Sequence, residues 1–226
     1  IDRSTIDDLE LAWVRQLNTL GQVQTSPLVV DDVMYVTTPE NEVLALDAAT
    51  GQVFWSYVHP LEDVLTLCCG KQSRGVAMLG NTLYLATMDA RLVALDAATG
   101  NVVWNTKVAN PLDGYSLTAA PLVVHDLVIT GIAGGEFGIR GFVDAYDAKT
   151  GARRWRTYMI PGEGEPENDT WDGDSWKTGG ASTWQTGAYD PALNLVYWGV
   201  GNPGPDWNGE TRMGDNLYSD SVVAMD

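Results

Sequence analysis

"VLALDAATGQVFW", residues 43–55, decides the fold, because the chain writes it again. "LVALDAATGNVVW" stands at 92–104, "VDAYDAKTGARRW" at 143–155, and "VVAMD" at 222–226 starts a fourth copy. The aligned aspartates are Asp47, Asp96, Asp147 and Asp226, and the aligned tryptophans are Trp55, Trp104 and Trp155. The apolar–polar alternation of "VLALD" has the period of two expected of a strand. "DAATG" reads as a turn, in which the aspartate accepts backbone N–H bonds and the glycine takes a positive φ. "QVFW" is the returning strand, so each copy is a hairpin.

Each hairpin follows two further strand-like runs. These are "TSPLVVDDVMYVTTP" (25–39), turning at Asp31-Asp32, "RGVAMLGNTLYLATMDA" (74–90), turning at Gly80-Asn81, and "TAAPLVVHDLVITGIAG" (118–134), turning at His125-Asp126. Four strands in a period near 50 residues mark one blade of a β-propeller. The expected fold is therefore all-β, built of four-stranded blades, with the repeated tryptophan as an apolar plug between neighbours. Repeats are expected near 25–55, 74–104, 118–155 and 180–226. The aspartate spacing is 49, then 51, then 79 residues, so about 30 residues are inserted before the last copy. The insertion includes an acidic run at about 161–177, which reads as solvated because it lacks EF-hand spacing. A propeller closes with roughly four to eight blades. Three to four blades over residues 1–226 make an incomplete ring, expected to be the N-terminal part of a longer protein. "LELAWVRQL" (9–17) carries one more expected strand with a tryptophan.

The 226 residues carry 13 Lys and Arg against 30 Asp and Glu, a net charge of −17. Such a surface repels phosphate backbones, so nucleic acid is excluded as a partner. Small neutral substrates, cations or a basic protein suit it. No apolar run is long enough to span a bilayer, and no basic n-region followed by an apolar core opens the chain. His59 and His125, the only histidines, fall in no metal-binding spacing. The chain has no H-E-x-x-H, G-x-S-x-G, P-loop or C-x-x-C-H pattern. Its two cysteines, Cys68 and Cys69, are adjacent in "TLCCGKQSRG" (66–75). By number alone they are equally a disulfide of an oxidising compartment or a pair of reduced thiols.

The "ALDAATGxxxW" repeat, together with the adjacent cysteines, "GIAGGEFGIRGFVDAYD" (131–147) and "GGASTWQTGAYDPALNLVYWGVGNPGPDWN" (179–208), resembles the quinoprotein alcohol dehydrogenases, which bind pyrroloquinoline quinone (PQQ). The resemblance covers the whole chain and implies part of an eight-bladed propeller. It implies that Cys68 and Cys69 close a vicinal disulfide packed on one face of the quinone, and that Trp184 stacks on the other. Consecutive Cα atoms lie only about 3.8 Å apart, so such a ring is a rigid plate. Arg74 falls where the family has an arginine near the quinone carbonyls, where a cation stabilises a developing oxyanion. Glu136 and Asn202 match the metal ligands, oxygen donors suited to a hard ion, Ca²⁺ or a lanthanide. Thr118 and Ser182 fall where hydroxyls bind the cofactor carboxylates, and Gln24 where many members have a glutamate. Three residues before Glu136 the family commonly has a serine; here it is Ala133.

The activity implied is hydride transfer from a small alcohol to the quinone, giving an aldehyde, with electrons passed on to a cytochrome c. The catalytic aspartate, expected after the fourth repeat, lies beyond Asp226, so no residue here is assigned that role. A disulfide at Cys68–Cys69 implies the periplasm, and a chain holding part of the pocket is expected to be inactive alone. The competing expectation is a non-catalytic propeller of the same repeat, acting as a binding scaffold.

Overall fold

The computed structural model describes residues 2–61 and 65–226. Fifteen strands form four antiparallel sheets. The first holds β1 (Leu28–Val30), β2 (Val33–Thr37), β3 (Glu42–Asp47) and β4 (Val53–Val58). The second holds β5 (Val76–Leu79), β6 (Thr82–Thr87), β7 (Arg91–Asp96) and β8 (Val102–Lys107). The third holds β9 (Leu122–Val124), β10 (Leu127–Gly131), β11 (Phe142–Asp147) and β12 (Arg153–Tyr158). In these three sheets spatial order equals chain order, which makes each an up-and-down blade. The fourth, β13 (Ala188–Asp190), β14 (Leu195–Val200) and β15 (Ser221–Met225), has three strands among the described residues. Helix is confined to short 3-10 turns, and no helix is long and apolar enough to cross a membrane.

Both kinds of expected turn form. Asp31, Asp32, Gly80 and His125 adopt positive φ at the tips of the first hairpins, the backbone that suits the twist of paired strands. In the repeat turn, Asp47 Oδ1 accepts from Ala49 N at 3.0 Å, Thr50 N at 2.8 Å and Thr50 Oγ1 at 2.9 Å. Asp96 and Asp147 build the same cage with Thr99 and Thr150. Gly51, Gly100 and Gly151 close these turns at φ +72°, +73° and +69°.

The glycines serve packing as well. A Cβ on Gly100 would stand 2.6 Å from the Trp55 ring, and one on Gly151 would stand 2.7 Å from the Trp104 ring. Each indole lies flat on the next blade's turn and donates its Nε1–H to the alanine carbonyl there. Trp55 reaches Ala97 and Trp104 reaches Ala148, both at 3.1 Å. The tryptophan plug is thus a hydrogen-bonded stack, repeated with the blade.

Residues 9–17, expected as a strand that could complete the last blade of a closed ring, pair with no backbone among the described residues. Trp13 is nevertheless docked as the others are, its Nε1 3.0 Å from Ala48 O and its ring against Gly51.

The core lies between the sheets rather than at one centre. Tyr35, Val43 and Ala45 of the first blade pack on Leu83, Leu85 and Val93 of the second. Tyr84, Leu92 and Ala94 pack on Val128, Phe142 and Tyr146. Ile129, Val143 and Ala145 pack on Val196, Trp198 and Val200. Inside the second of these interfaces, fully buried Asp144 takes a bidentate bond from Arg156, 2.7 Å to each oxygen, and a third from Tyr146. Burial pulls the Arg156 guanidinium down, but the bonds to Asp144 outweigh it and hold it above its ordinary value.

A candidate cofactor cleft at one end of the propeller

Arg74 precedes β5, Thr118 precedes β9, and Ser182 and Trp184 precede β13. Each stands in the segment that enters the first strand of its blade, and the three segments meet at one cleft. The loop after β10 brings Glu136, and the loop after β14 brings Asn202, to the same end. The segment between β4 and β5 brings the cysteines. Together they line a cleft of 290 Å³.

Cys68 and Cys69 are bonded to each other, with Cα atoms 3.8 Å apart. The Glu136 carboxylate lies within 4.8 Å of both sulfurs. Trp184, 39% exposed, offers its ring to the cleft, and the Arg74 guanidinium carbon lies 4.9 Å from that ring's centroid. Arg74 Nη1 donates to Thr118 O at 3.1 Å and Nη2 to Gln72 Oε1 at 2.7 Å. Burial pushes the Arg74 pKa down from its ordinary value, yet a guanidinium remains a cation in proteins.

The metal-ligand candidates are oxygen donors without competing cations. Glu136 forms no ion pair among the described residues. Asn202 Nδ2 donates to Asp206 Oδ1 at 2.8 Å and to Pro203 O at 3.3 Å. With the nitrogen so engaged, the amide oxygen is the end left to the cleft. A carboxylate and an amide oxygen are the donor chemistry that Ca²⁺ and similar hard ions take. A disulfide plate, an indole, a fixed cation and several hydroxyls are likewise the chemistry that a flat, acidic quinone takes.

Of the residues singled out from sequence, Cys68, Cys69, Arg74, Thr118, Glu136, Ser182, Trp184 and Asn202 all line this cleft. Gln24 does not; its Nε2 donates to Gln22 Oε1 at 3.3 Å instead. Ala133 lines the cleft as a methyl group. Two polar lining residues were not singled out from the sequence. Gln72 couples the plate to the cation, its Nε2 donating to Cys69 O at 3.0 Å while its Oε1 accepts from Arg74. Ser116 lies two residues before Thr118 and so on the same face of the extended chain. That period-two spacing was the available sign.

The loop carrying the disulfide is pinned at both ends. His59 Nε2 sits 3.0 Å from Asp89 Oδ2, Nδ1 is 3.2 Å from Tyr57 Oη, and its backbone N–H donates to Asn41 O at 3.1 Å. Burial would raise the Asp89 pKa, but bonds from His59 and Thr87 outweigh it and hold the carboxyl below its usual range. At the other end Arg74 O accepts from Ser26 N at 3.1 Å.

The family model of the PQQ glucose/ethanol/alcohol dehydrogenase β-propeller domain matches residues 1–226. The chain belongs to this family. It is 44% identical over 218 residues to quinoprotein alcohol dehydrogenase PedH of Pseudomonas putida, covering 89% of this chain and 36% of that protein. The crystal structure of the quinohemoprotein alcohol dehydrogenase from Comamonas testosteroni superposes with a TM-score of 0.89 at 38% identity. That match covers all of this chain and 37% of the other. A europium-containing methanol dehydrogenase superposes at 0.87 with 36% identity, over 99% of this chain and 43% of its own. The chain thus spans between a third and a half of the length of these PQQ dehydrogenase relatives.

Proposed function

We propose that this chain forms part of the quinone and metal pocket of a PQQ-dependent alcohol dehydrogenase. The observation that carries the reading is the convergence of Cys68–Cys69, Trp184, Arg74, Glu136 and Asn202 on one cleft. In a scaffold propeller nothing would require a disulfide, an indole, a half-buried cation and two hard oxygen donors to meet there.

Each residue has a task its chemistry suits. The cystine and the Trp184 indole are opposed flat walls, and both exclude water from the faces of a planar ligand. Arg74, held by Gln72 and Thr118, supplies a positive charge where negative charge develops on an oxygen, without moving. Glu136 and Asn202 hold the ion, Ca²⁺ or a lanthanide. Ser182 faces the cofactor's carboxylates, and Thr118 lines the same wall with its proton given to Trp184 O. When bound, PQQ with its ion supplies the oxidising equivalent that takes a hydride from the alcohol carbon. Among the described lining residues Glu136 is the one carboxylate. With Glu136 on the ion, the alcohol proton leaves to a base outside this lining. The product is an aldehyde, and the electrons pass to a cytochrome c. Gln24 has no task at the cleft in this arrangement. A bonded Cys68–Cys69 pair supports an oxidising compartment, and we place the protein in the periplasm.

Absorption spectroscopy of the intact protein with PQQ and Ca²⁺ or a lanthanide tests the reading. The expected result is a bound quinone band whose amplitude follows alcohol oxidation with a dye acceptor. Trp184→Ala should lower both together. Residues 1–226 alone, similarly loaded, should oxidise no alcohol. An intact protein that binds no quinone overturns the proposal.

A further inference from the structure

We propose that Ser116 is a cofactor-binding residue of this cleft, donating its hydroxyl proton to a carboxylate of the bound quinone; the inference rests on the function proposed above.

Three hydroxyls line the cleft: Ser116, Thr118 and Ser182. A hydroxyl has one proton to give. Thr118 gives its own to the backbone oxygen of Trp184 at 3.3 Å. That bond joins the third blade's first segment to the fourth's and steadies the stacking indole. Ser182 is 7% exposed and Ser116 5% exposed, and neither hydroxyl has a hydrogen-bond partner among the described residues. Neither hydroxyl oxygen is among the buried side-chain atoms without a partner, so both reach the cleft, and each has a proton free for an acceptor that enters it.

Ser116 is also rigidly aimed. Its backbone exchanges both bonds with Ala133, Ser116 N to Ala133 O at 3.1 Å and Ala133 N to Ser116 O at 2.8 Å. In such an antiparallel pair the two side chains stand on the same face, about 4.5–5.5 Å apart at Cβ. Both Ser116 and Ala133 line the cleft. At this pair the wall therefore presents one hydroxyl and one methyl, and the hydroxyl belongs to the 116 side. Arg74 Nη1, bonded to Thr118 O, brings the cation to the same segment. A carboxylate beside Ser116 thus meets a neutral donor and a nearby positive charge.

The test is equilibrium binding to the intact protein, with PQQ and with phenanthrenequinone, a planar o-quinone that has no carboxylate. Ser116→Ala should weaken PQQ binding about tenfold or more, as expected for a hydrogen bond to a charged acceptor, and leave phenanthrenequinone binding unchanged. Ser116→Thr should restore PQQ affinity. The double variant Ser116→Ala with Ala133→Ser, which moves the hydroxyl across the strand pair, should restore most of it. PQQ affinity unchanged in Ser116→Ala overturns the inference and leaves the proposed function standing. Equal loss for both quinones also overturns it, showing a packing role. A wild-type protein that binds no PQQ overturns both.

Discussion

At the scale of the residue, the repeat aspartates show how one side chain specifies a turn. Asp147 accepts from Lys149 N, Thr150 N and Thr150 Oγ1, and pairs with Arg154 at 2.5 Å. The Thr150 and Arg154 bonds hold its pKa at about 2, against 3.8 ordinarily. The sign follows from linkage: a carboxyl whose folded pKa is depressed stabilises the fold above its unfolded pKa, and that stability fades as pH falls. Asp147→Asn should lower the Tm at pH 6, and the difference from wild type should shrink between pH 4 and pH 2. Thermal unfolding across that range measures it, and a difference independent of pH would refute the electrostatic account. The turn bonds behind this prediction were legible in "DAKTG", because they span only three residues, whereas the Arg154 pair, seven residues on, needs the hairpin to form. Gln72 was not legible, since its role depends on where Arg74 and Cys69 point after folding.

At the scale of the element, a blade is held to the next by an indole on a glycine. Gly100 tolerates no Cβ, since Trp55 stands 2.6 Å from its ideal position and φ is +73°. Gly100→Ala should cost about 2–4 kcal/mol, combining backbone strain with overpacking. Gly80 is the control: it also has positive φ, +56°, but nothing within 4 Å of an added Cβ. Gly80→Ala should cost only about 1 kcal/mol. Urea midpoints of the two variants distinguish packing from backbone strain; equal losses would deny the plug its role. Strand positions were readable from period-two alternation. The strand expected at 9–17 finds no partner backbone among the described residues, because the strands it was expected to join belong to the blade that closes the ring. Trp13 kept its place because its docking depends on the neighbouring turn and not on pairing.

At the scale of the whole molecule, this chain's charge of −17 bears on the cytochrome proposed above as electron acceptor. A basic cytochrome would be steered to this surface at low ionic strength and screened from it at high. The Debye length is about 10 Å at 0.1 M salt and about 3 Å at 1 M. Reduction of a basic cytochrome by the intact protein should therefore slow as salt rises, while reduction of a neutral dye should not. Stopped-flow rates across that range check it; a cytochrome rate indifferent to salt would remove electrostatic steering from the account. The fold serves this arrangement by stacking blades, so that the segments entering β5, β9 and β13 line one cleft. Arg74, Thr118 and Ser182 lie 44 and then 64 residues apart in the chain and share a wall.

By itself the sequence determined the blades, the repeat turns and the tryptophan plugs, because these arise from contacts within a period of about 50 residues that the chain restates. It also marked most cleft residues, because their types and spacing resemble a known pocket. Only the tertiary structure decided which side chains finally reach that pocket. It left Gln24 on Gln22, bound Thr118's proton to Trp184, and left the Ser116 hydroxyl free. The physical reason is that a hydrogen bond is decided by distance and direction between segments brought together from different blades. No periodicity along the chain encodes which donor remains unspent when they meet.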